Sequence, residues 1–148
     1  NEIVFSQNFP TSSGLAKIVP TDLISPHELP DQNFPFVLTT GRLLEHWHTG
    51  AMTRRSNTLD NIEPEAIVNM NRLDMKNLRL EPGNKVQVKT RRGSIELSVR
   101  QDTELPKGMI FIPFCFSEAA ANKLTNPQLD PFGKIPEFKY CAANIEAC

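Results

Sequence analysis

Two short segments in which polar and apolar residues alternate place the strongest constraint on the fold of this chain. They cover residues 85–89 and 94–99, and Arg91-Arg92-Gly93 joins them. Alternation with a period of two is typical of a β-strand with one buried face, and a glycine between two such strands indicates a hairpin turn. The sequence therefore predicts an antiparallel hairpin in the second half of the chain.

Further strands are predicted on both sides of this hairpin. Short apolar or alternating runs bounded by turn residues cover residues 34–39, 66–70, 109–112 and 138–145. The run at 109–112 is apolar on both faces, which is typical of a central strand. A turn is expected at residues 81–84, where Pro82 and Gly83 stand together.

Helices are predicted at only two places. Asn71 is expected to cap a helix over residues 72–80, and Ser117 a short alanine-rich helix over residues 118–124. The first of these helices presents an apolar face formed by Leu73, Met75, Leu78 and Leu80. Many short strands without regular helix–strand alternation indicate a mainly β fold with short helices, arranged as a β barrel.

The beginning of the chain has a different character from the rest. Its first 33 residues contain Pro10, Pro20, Pro26 and Pro30 and few periodic apolar runs. Because proline fixes the backbone and removes a hydrogen-bond donor, we expect residues 1–33 to form an extended lead-in that packs on a barrel domain of residues 34–148.

Composition narrows the classes of function. The 148 residues carry a net charge of −1, so no overall field attracts nucleic acid or an anionic membrane. No apolar stretch approaches the roughly 20 residues that cross a bilayer. We therefore expect a soluble chain without nucleic-acid partners or membrane insertion, cytoplasmic in location, with the periplasm as the alternative.

The three cysteines, Cys115, Cys141 and Cys148, include no Cys-x-x-Cys pair. Their odd number suits neither a disulfide framework nor a zinc or iron–sulfur site. Cys115 and Cys141 have apolar neighbours, where a buried and inert thiol is expected. A reducing compartment is the simpler interpretation.

The polar segment 40–55 is the best candidate for a binding site. It holds the only tryptophan of the chain, two of the three histidines, three arginines and two glycines, and it follows the predicted strand 34–39. Binding residues often lie where a strand of a rigid scaffold ends. A metal pair of His46 and His48 has no third ligand nearby, so we predict no metal site. Taken alone, Trp47 is expected in the core.

Several segments also resemble a known family in their order and spacing: residues 38–42, 45–50, 52–55, 91–93, 119–125 and 136–139. Together they are similar to the C-terminal molybdopterin-dinucleotide-binding domain of molybdenum or tungsten oxidoreductases of the dimethyl sulfoxide reductase family. The stretch 116–122 favours the catalytic (alpha) subunit of formate dehydrogenases, and nitrate reductases are near relatives. The resemblance implies a double-psi β barrel.

The resemblance also implies a cofactor, bis(molybdopterin guanine dinucleotide) with molybdenum or tungsten, and a set of contact residues. These are Thr40, Gly41, Arg42, Leu43, Leu44, Glu45, His46, Trp47, His48, Thr49, Phe114, Asn122 and Lys139. The chemistry suits such a ligand, because glycines admit close backbone approach and Arg42 can meet phosphate oxygens. Asn122 offers a donor and an acceptor to a pterin edge, although without the resemblance it would be interpreted as a local cap or a solvent-exposed residue.

The chain lacks the cysteine-rich iron–sulfur segment and the metal-ligating cysteine or selenocysteine that this family carries in upstream domains. We therefore predict no catalytic residue and no metal ligand here, and an inactive isolated chain. The expected partners are upstream domains of the same catalytic subunit and electron-transfer subunits. Two alternatives stay open: the corresponding domain of a nitrate reductase, and a stand-alone module for cofactor binding or assembly.

Overall fold

The computed structural model describes residues 4–148, and a closed barrel of six strands forms its core. In chain order the strands are β1 (Phe36–Gly41), β2 (Ile67–Met70), β3 (Lys85–Thr90), β4 (Gly93–Gln101), β5 (Met109–Pro113) and β6 (Cys141–Ala147). Around the barrel they follow the order β1-β5-β2-β4-β3-β6. The predicted mainly β fold, a double-psi β barrel with short helices, is confirmed.

The predicted hairpin is β3 and β4, which pair in antiparallel register. Thr90 lies opposite Gly93, so Arg91 and Arg92 alone form the turn and the glycine already belongs to β4. Val86 and Val88 from β3 are fully buried, as the alternation predicts. Buried apolar side chains from all six strands form one core cluster in the barrel.

Parallel pairing of β1 with β5 determines where a site can form. Gly41 lies opposite Pro113 at the carboxyl ends of both strands. The segments that leave these two strands therefore begin side by side at one rim of the barrel. The Phe114 N–H donates to the Gly41 carbonyl oxygen at 3.1 Å, which extends the contact past the strand ends.

The first predicted helix is present but shorter than expected. Helix α2 (Arg72–Asn77) begins as predicted, since the Leu73 N–H donates to Asn71 Oδ1 at 2.8 Å. It ends before residue 80 because Arg79 has a φ of 56°, which no α-helix accommodates. The expected apolar face is wrong at Leu73, which is exposed, whereas Met75 and Leu80 are buried. Helix α1 (Asn57–Ile62) has no counterpart in the sequence prediction.

The predicted helix over residues 118–124 is wrong. Only the 3-10 helix Ala121–Lys123 forms there, and Ala120 rather than Ser117 precedes it. Ala119 and Ala121 are both buried, yet residues two apart point to different sides of an α-helix. Packing of both small side chains against the barrel therefore outweighs the helical preference of alanine. A second 3-10 helix covers Thr53–Arg55.

The lead-in contains neither helix nor strand over residues 4–33. Its last part contacts the barrel through Glu28, a buried carboxylate that forms ion pairs with Arg91 and Arg92 of the hairpin turn. The His27 N–H also donates to the Glu137 carboxylate. Earlier in the segment, apolar side chains such as Leu23 are fully exposed. No helix among residues 4–148 is both long and apolar enough to cross a membrane.

Candidate functional site

A cleft of about 560 Å³ lies at the rim where β1 and β5 end. It is bordered by the segment after β1, the segment after β5 and the stretch that leads to β6. Its walls combine polar groups with aromatic and proline rings. The lining residues are Thr40, His48, Thr49, Phe114, Asn122, Thr125, Asn126, Pro127, Leu129, Pro136 and Phe138.

Five of the residues proposed from the sequence line this one cleft. Thr40, His48 and Thr49 come from the end of β1 and the following segment, Phe114 from the end of β5, and Asn122 from the 3-10 helix. These segments are far apart in sequence and meet because β1 and β5 run parallel. The His48 and Phe114 rings lie 5.4 Å apart between centroids, which links two of the walls.

Lys139 lies beside the cleft and contacts its lining residues. Its Nζ donates to the Thr40 carbonyl oxygen at 2.5 Å, and it stands 5.9 Å from the Phe114 ring centroid and 5.6 Å from that of Phe138. The Thr40 hydroxyl donates to the Phe138 carbonyl oxygen at 2.7 Å. These contacts bring residues 138 and 139 to the end of β1 and fix one wall of the cleft.

The middle of the proposed loop points mostly to solvent. The Arg42 guanidinium lies 5.4 Å from the Trp47 ring centroid, a cation–π contact between two exposed side chains. Leu44 is 97% exposed, while Leu43 packs against the barrel core and Glu45 is half-buried. The expectation that Trp47 belongs to the core is wrong, because its ring is 62% exposed. None of these five side chains borders the cleft.

His46 is the exception in this loop, since it is fully buried. Its Nε2 lies 2.8 Å from the Glu63 carbonyl oxygen, and its ring packs edge-on against Phe116 at 5.7 Å. A carbonyl oxygen only accepts, so Nε2 carries the proton. Nδ1 then has no hydrogen-bond partner among the described residues. His46 does not line the cleft, unlike His48.

The two glycines of the loop face protein atoms. A Cβ at Gly41 would lie 2.5 Å from Cε2 of the Phe111 ring on β5. Gly50 has a φ of +75°, and a Cβ there would lie 2.7 Å from the Cys115 carbonyl oxygen. Close packing of the chain on itself therefore requires glycine at both positions. Neither glycine borders the cleft.

Cysteine chemistry does not contribute to the cleft. Cys115 and Cys141 are buried, as expected, and Cys148 is exposed. Burial raises the pKa of the Cys115 thiol to about 11 and also raises the pKa of Cys141. Both thiols therefore stay protonated near neutral pH and are poor nucleophiles. Residues 4–148 contain no group of three or more His, Cys, Asp or Glu side chains placed to hold a metal ion.

One wall of the cleft was missed in the sequence. Asn126 is buried there: its N–H contacts Cys141 Sγ at 3.1 Å and its Nδ2 donates to Glu137 Oε2 at 3.2 Å. It stabilises a loop that turns back towards β6. The sequence signal was Asn126-Pro127, a typical turn dipeptide. The missed residues are Thr125, Asn126, Pro127, Leu129, Pro136 and Phe138.

The composition of the cleft fits a dinucleotide with fused rings. Asn122, His48 and Thr49 offer both donors and acceptors, and the amine of Lys139 stands close by. Phe114 and Phe138 supply flat apolar surfaces beside these groups. A volume of about 560 Å³ falls within the usual range for ligand pockets.

A family model and two known proteins match most of this chain. The family model described as "Molydopterin dinucleotide binding domain" matches residues 36–142. The chain is 44% identical over 145 residues to the F420-dependent formate dehydrogenase subunit alpha of Methanocaldococcus jannaschii, covering 98% of this chain and 22% of that protein. It is 42% identical to the F420-dependent formate dehydrogenase 1 subunit alpha of Methanococcus maripaludis, covering 92% of this chain and 20% of that protein.

Among solved structures, acetylene hydratase from Pelobacter acetylenicus is similar in fold, with a TM-score of 0.70 and 20% identity. The match covers 78% of this chain and 18% of that chain. The chain thus spans about a fifth of the length of the formate dehydrogenase subunits that it matches.

Proposed function

This chain belongs to the molydopterin dinucleotide binding domain family, and from that premise we propose that its rim cleft binds the dinucleotide part of a molybdopterin cofactor. The observation that carries the proposal is the meeting of Thr40, His48, Thr49, Phe114 and Asn122 around one cavity. The family resemblance assigns the same five residues to the cofactor, and they come from three separate segments of the chain.

The roles of the polar groups follow from their positions. Asn122 is exposed at the cleft wall, where its amide group offers donors and an acceptor to the edge of a fused ring. Lys139 uses one of its three N–H donors on the Thr40 carbonyl, so two remain for an oxygen of the ligand. Packing beside Phe114 and Phe138 limits the motion of this amine.

Arg42 is proposed to bind a phosphate of the same ligand. Its guanidinium is exposed and lies over the Trp47 ring, which holds the charge close to the loop. Charge-assisted hydrogen bonds from arginine to phosphate are among the stronger polar contacts in proteins. We assign Trp47 to the support of Arg42 and not to direct ligand contact.

At the level of the whole protein, we propose the catalytic alpha subunit of a formate dehydrogenase that oxidises formate to CO₂. The support is the identity of 44% and 42% to two such subunits, which favours formate over nitrate. The metal, molybdenum or tungsten, its protein ligand and the iron–sulfur cluster would belong to other parts of that subunit. When bound, the cofactor supplies the redox-active metal centre, and the residues described here orient it.

Further proposals concern organisation. We infer that residues 34–148 are the cofactor-binding domain and that residues 1–33 are a lead-in attached to it through Glu28. The partners proposed for this domain are the remaining domains of the catalytic subunit and, beyond them, electron-transfer subunits. The proposed compartment is the cytoplasm.

The proposal is tested with Asn122→Ala and Lys139→Ala in the full-length protein. Leaving a partner of a buried ligand unpaired typically costs about 1 to 3 kcal/mol, so each change should lower cofactor content more strongly than it lowers thermal stability. Metal content and guanine nucleotide released on hydrolysis are measured per polypeptide. Lys123→Ala is the matched control, because Lys123 is exposed on the same 3-10 helix and does not line the cleft.

Unchanged metal and nucleotide content in both variants, with a loss of melting temperature, would mean that Asn122 and Lys139 are structural. Equal losses in the Lys123→Ala control would show that the 3-10 helix as a whole, and not the cleft, limits cofactor content.

A further inference from the structure

His46 contacts the protein interior on the side of the loop after β1 that faces away from solvent. It is fully buried, whereas its neighbour Trp47 and the cleft residue His48 are exposed. Its Nε2–H donates to the Glu63 carbonyl oxygen at 2.8 Å. This bond joins the loop to the connection between helix α1 and strand β2, a segment that does not line the cleft.

The side chain of Glu63 is held in place as well. Its carboxylate accepts two hydrogen bonds from the Arg100 guanidinium of β4, at 2.9 Å and 2.7 Å. This fork-to-fork ion pair restricts the orientation of Glu63 more than a single contact would. Glu63 also keeps the pKa of Arg100 raised, chiefly through these hydrogen bonds. The barrel wall, Glu63 and His46 thus form one connected chain of contacts.

The loop beyond His46 has a backbone that needs such support. His48 has a φ of 52°, an uncommon conformation for a residue other than glycine. The Trp47 N–H donates to Thr53 Oγ1 at 3.0 Å, and the Gly50 N–H donates to the Trp47 carbonyl at 2.9 Å. The buried side chain of His46 connects this turn to the protein interior, and His48 and Thr49 of the same turn line the cleft.

We propose that His46 is a positioning residue for the cofactor cleft: through Glu63 and Arg100 it fixes the turn that presents His48 and Thr49. The bond needs a proton on Nε2, because a carbonyl oxygen can only accept. This assignment replaces direct cofactor contact, which the burial of the ring does not permit. It rests on the proposed function of the cleft.

Three variants in the full-length protein test this role: His46→Leu, His46→Gln and His27→Leu. Leucine removes the donor, whereas glutamine can place an N–H near the same carbonyl. His27→Leu is the matched control, since His27 is exposed on the lead-in. The measured quantities are the rate of loss of molybdenum or tungsten and guanine nucleotide during dialysis, and the melting temperature of the protein.

We expect His46→Leu to lose cofactor roughly 10-fold faster than the control, which corresponds to about 1.4 kcal/mol and lies within the range for a buried hydrogen-bonding group left unpaired. His46→Gln should restore most of the retention. If His46→Leu and His46→Gln lower the melting temperature alike and neither changes the rate of cofactor loss, His46 is only a core residue and the inference is wrong.

Asn122→Ala, measured in parallel, separates the two proposals. If Asn122→Ala weakens cofactor retention and His46→Leu does not, the cleft binds the cofactor but His46 does not position it. If neither change affects retention, the proposed function of the cleft fails as well. If His46→Leu is too unstable to purify, His46→Gln and Arg100→Met decide: retention like the control in both contradicts the positioning role, and faster loss in Arg100→Met alone supports the Glu63 link.

Discussion

Substitution of Gly41 by alanine is the perturbation whose magnitude the structure defines best. The added Cβ would lie 2.5 Å from Cε2 and 2.9 Å from Cζ of the Phe111 ring. Carbon atoms in contact are normally about 3.5 to 4.0 Å apart, so the ring has to retreat by about 1 Å. Overpacking of this kind typically costs about 1 to 3 kcal/mol. For a chain of this length, that corresponds to a fall of about 3 to 10 °C in melting temperature.

The assay is thermal and urea unfolding of the 148-residue chain with Gly41→Ala, Phe111→Ala and the double variant. Because the smaller side chain removes the clash, the double variant should be more stable than the sum of the two single losses predicts, by about 1 kcal/mol or more. A melting temperature unchanged in Gly41→Ala, or strictly additive losses, would refute the argument. Either result would mean that packing against Phe111 does not require glycine at position 41. Close approach of the cofactor would then be the remaining explanation.

Three further predictions concern the rest of the chain. Arg42→Ala should lower cofactor content, by a loss on the order of 1.5 to 3 kcal/mol in binding, and excess cofactor during assembly should partly restore it; content equal to wild type would exclude phosphate binding by Arg42. Native protein at pH 8 should be alkylated at Cys148 alone, since burial raises the pKa of Cys115 to about 11; mass spectrometry that finds Cys115 modified equally fast would contradict its burial. Glu28→Ala should speed proteolysis of the lead-in by leaving two arginines without their buried partner; an unchanged cleavage rate would show that the ion pairs do not hold it.

Burial of the thiols also predicts how the free energy of unfolding changes with pH. The pKa of Cys115 is raised in the folded protein, so the folded state favours the protonated thiol. Its contribution to stability is present below the ordinary pKa of a cysteine and is lost as the pH rises from there towards about 11, because the unfolded chain releases its proton first. The free energy of unfolding should therefore decrease over this range, and Cys115→Ala should reduce that decrease.

Local sequence patterns predicted the barrel strands and one helix start well, because these features depend on residues that are close together in the sequence. The alternation at residues 85–89 and 94–99 follows from one buried face, and the structure places Val86 and Val88 in the core. The capping role of Asn71 depends only on the next two residues, and its bond to Leu73 is present. Predictions failed where tertiary packing determines the secondary structure of a segment. The helix expected at 118–124 is replaced by a 3-10 turn because small side chains on two sides are buried.

The candidate site, like the fold, could be predicted only in part from the sequence. The family resemblance selected segments that the structure brings together at one cleft, but it could not separate side chains that face the cleft from those that lie behind it. His46 and His48 are two residues apart, yet one is fully buried and the other lines the cleft. Likewise, the contact between Gly41 and Phe111 depends on the register of β1 with β5, which no local pattern reports. The wall around Phe138 depends on a loop that folds back on the end of β1.

The most direct test of the central claim is an experimental structure of the full-length protein with its cofactor bound. The account predicts dinucleotide density in the rim cleft, with a ring edge within hydrogen-bonding distance of Asn122 and an oxygen near Lys139 Nζ. It also predicts that His46 stays buried against Glu63 without touching the ligand. A fully occupied cofactor held by other domains, with none of its atoms in the cleft between Thr40, Phe114 and Asn122, would contradict the account.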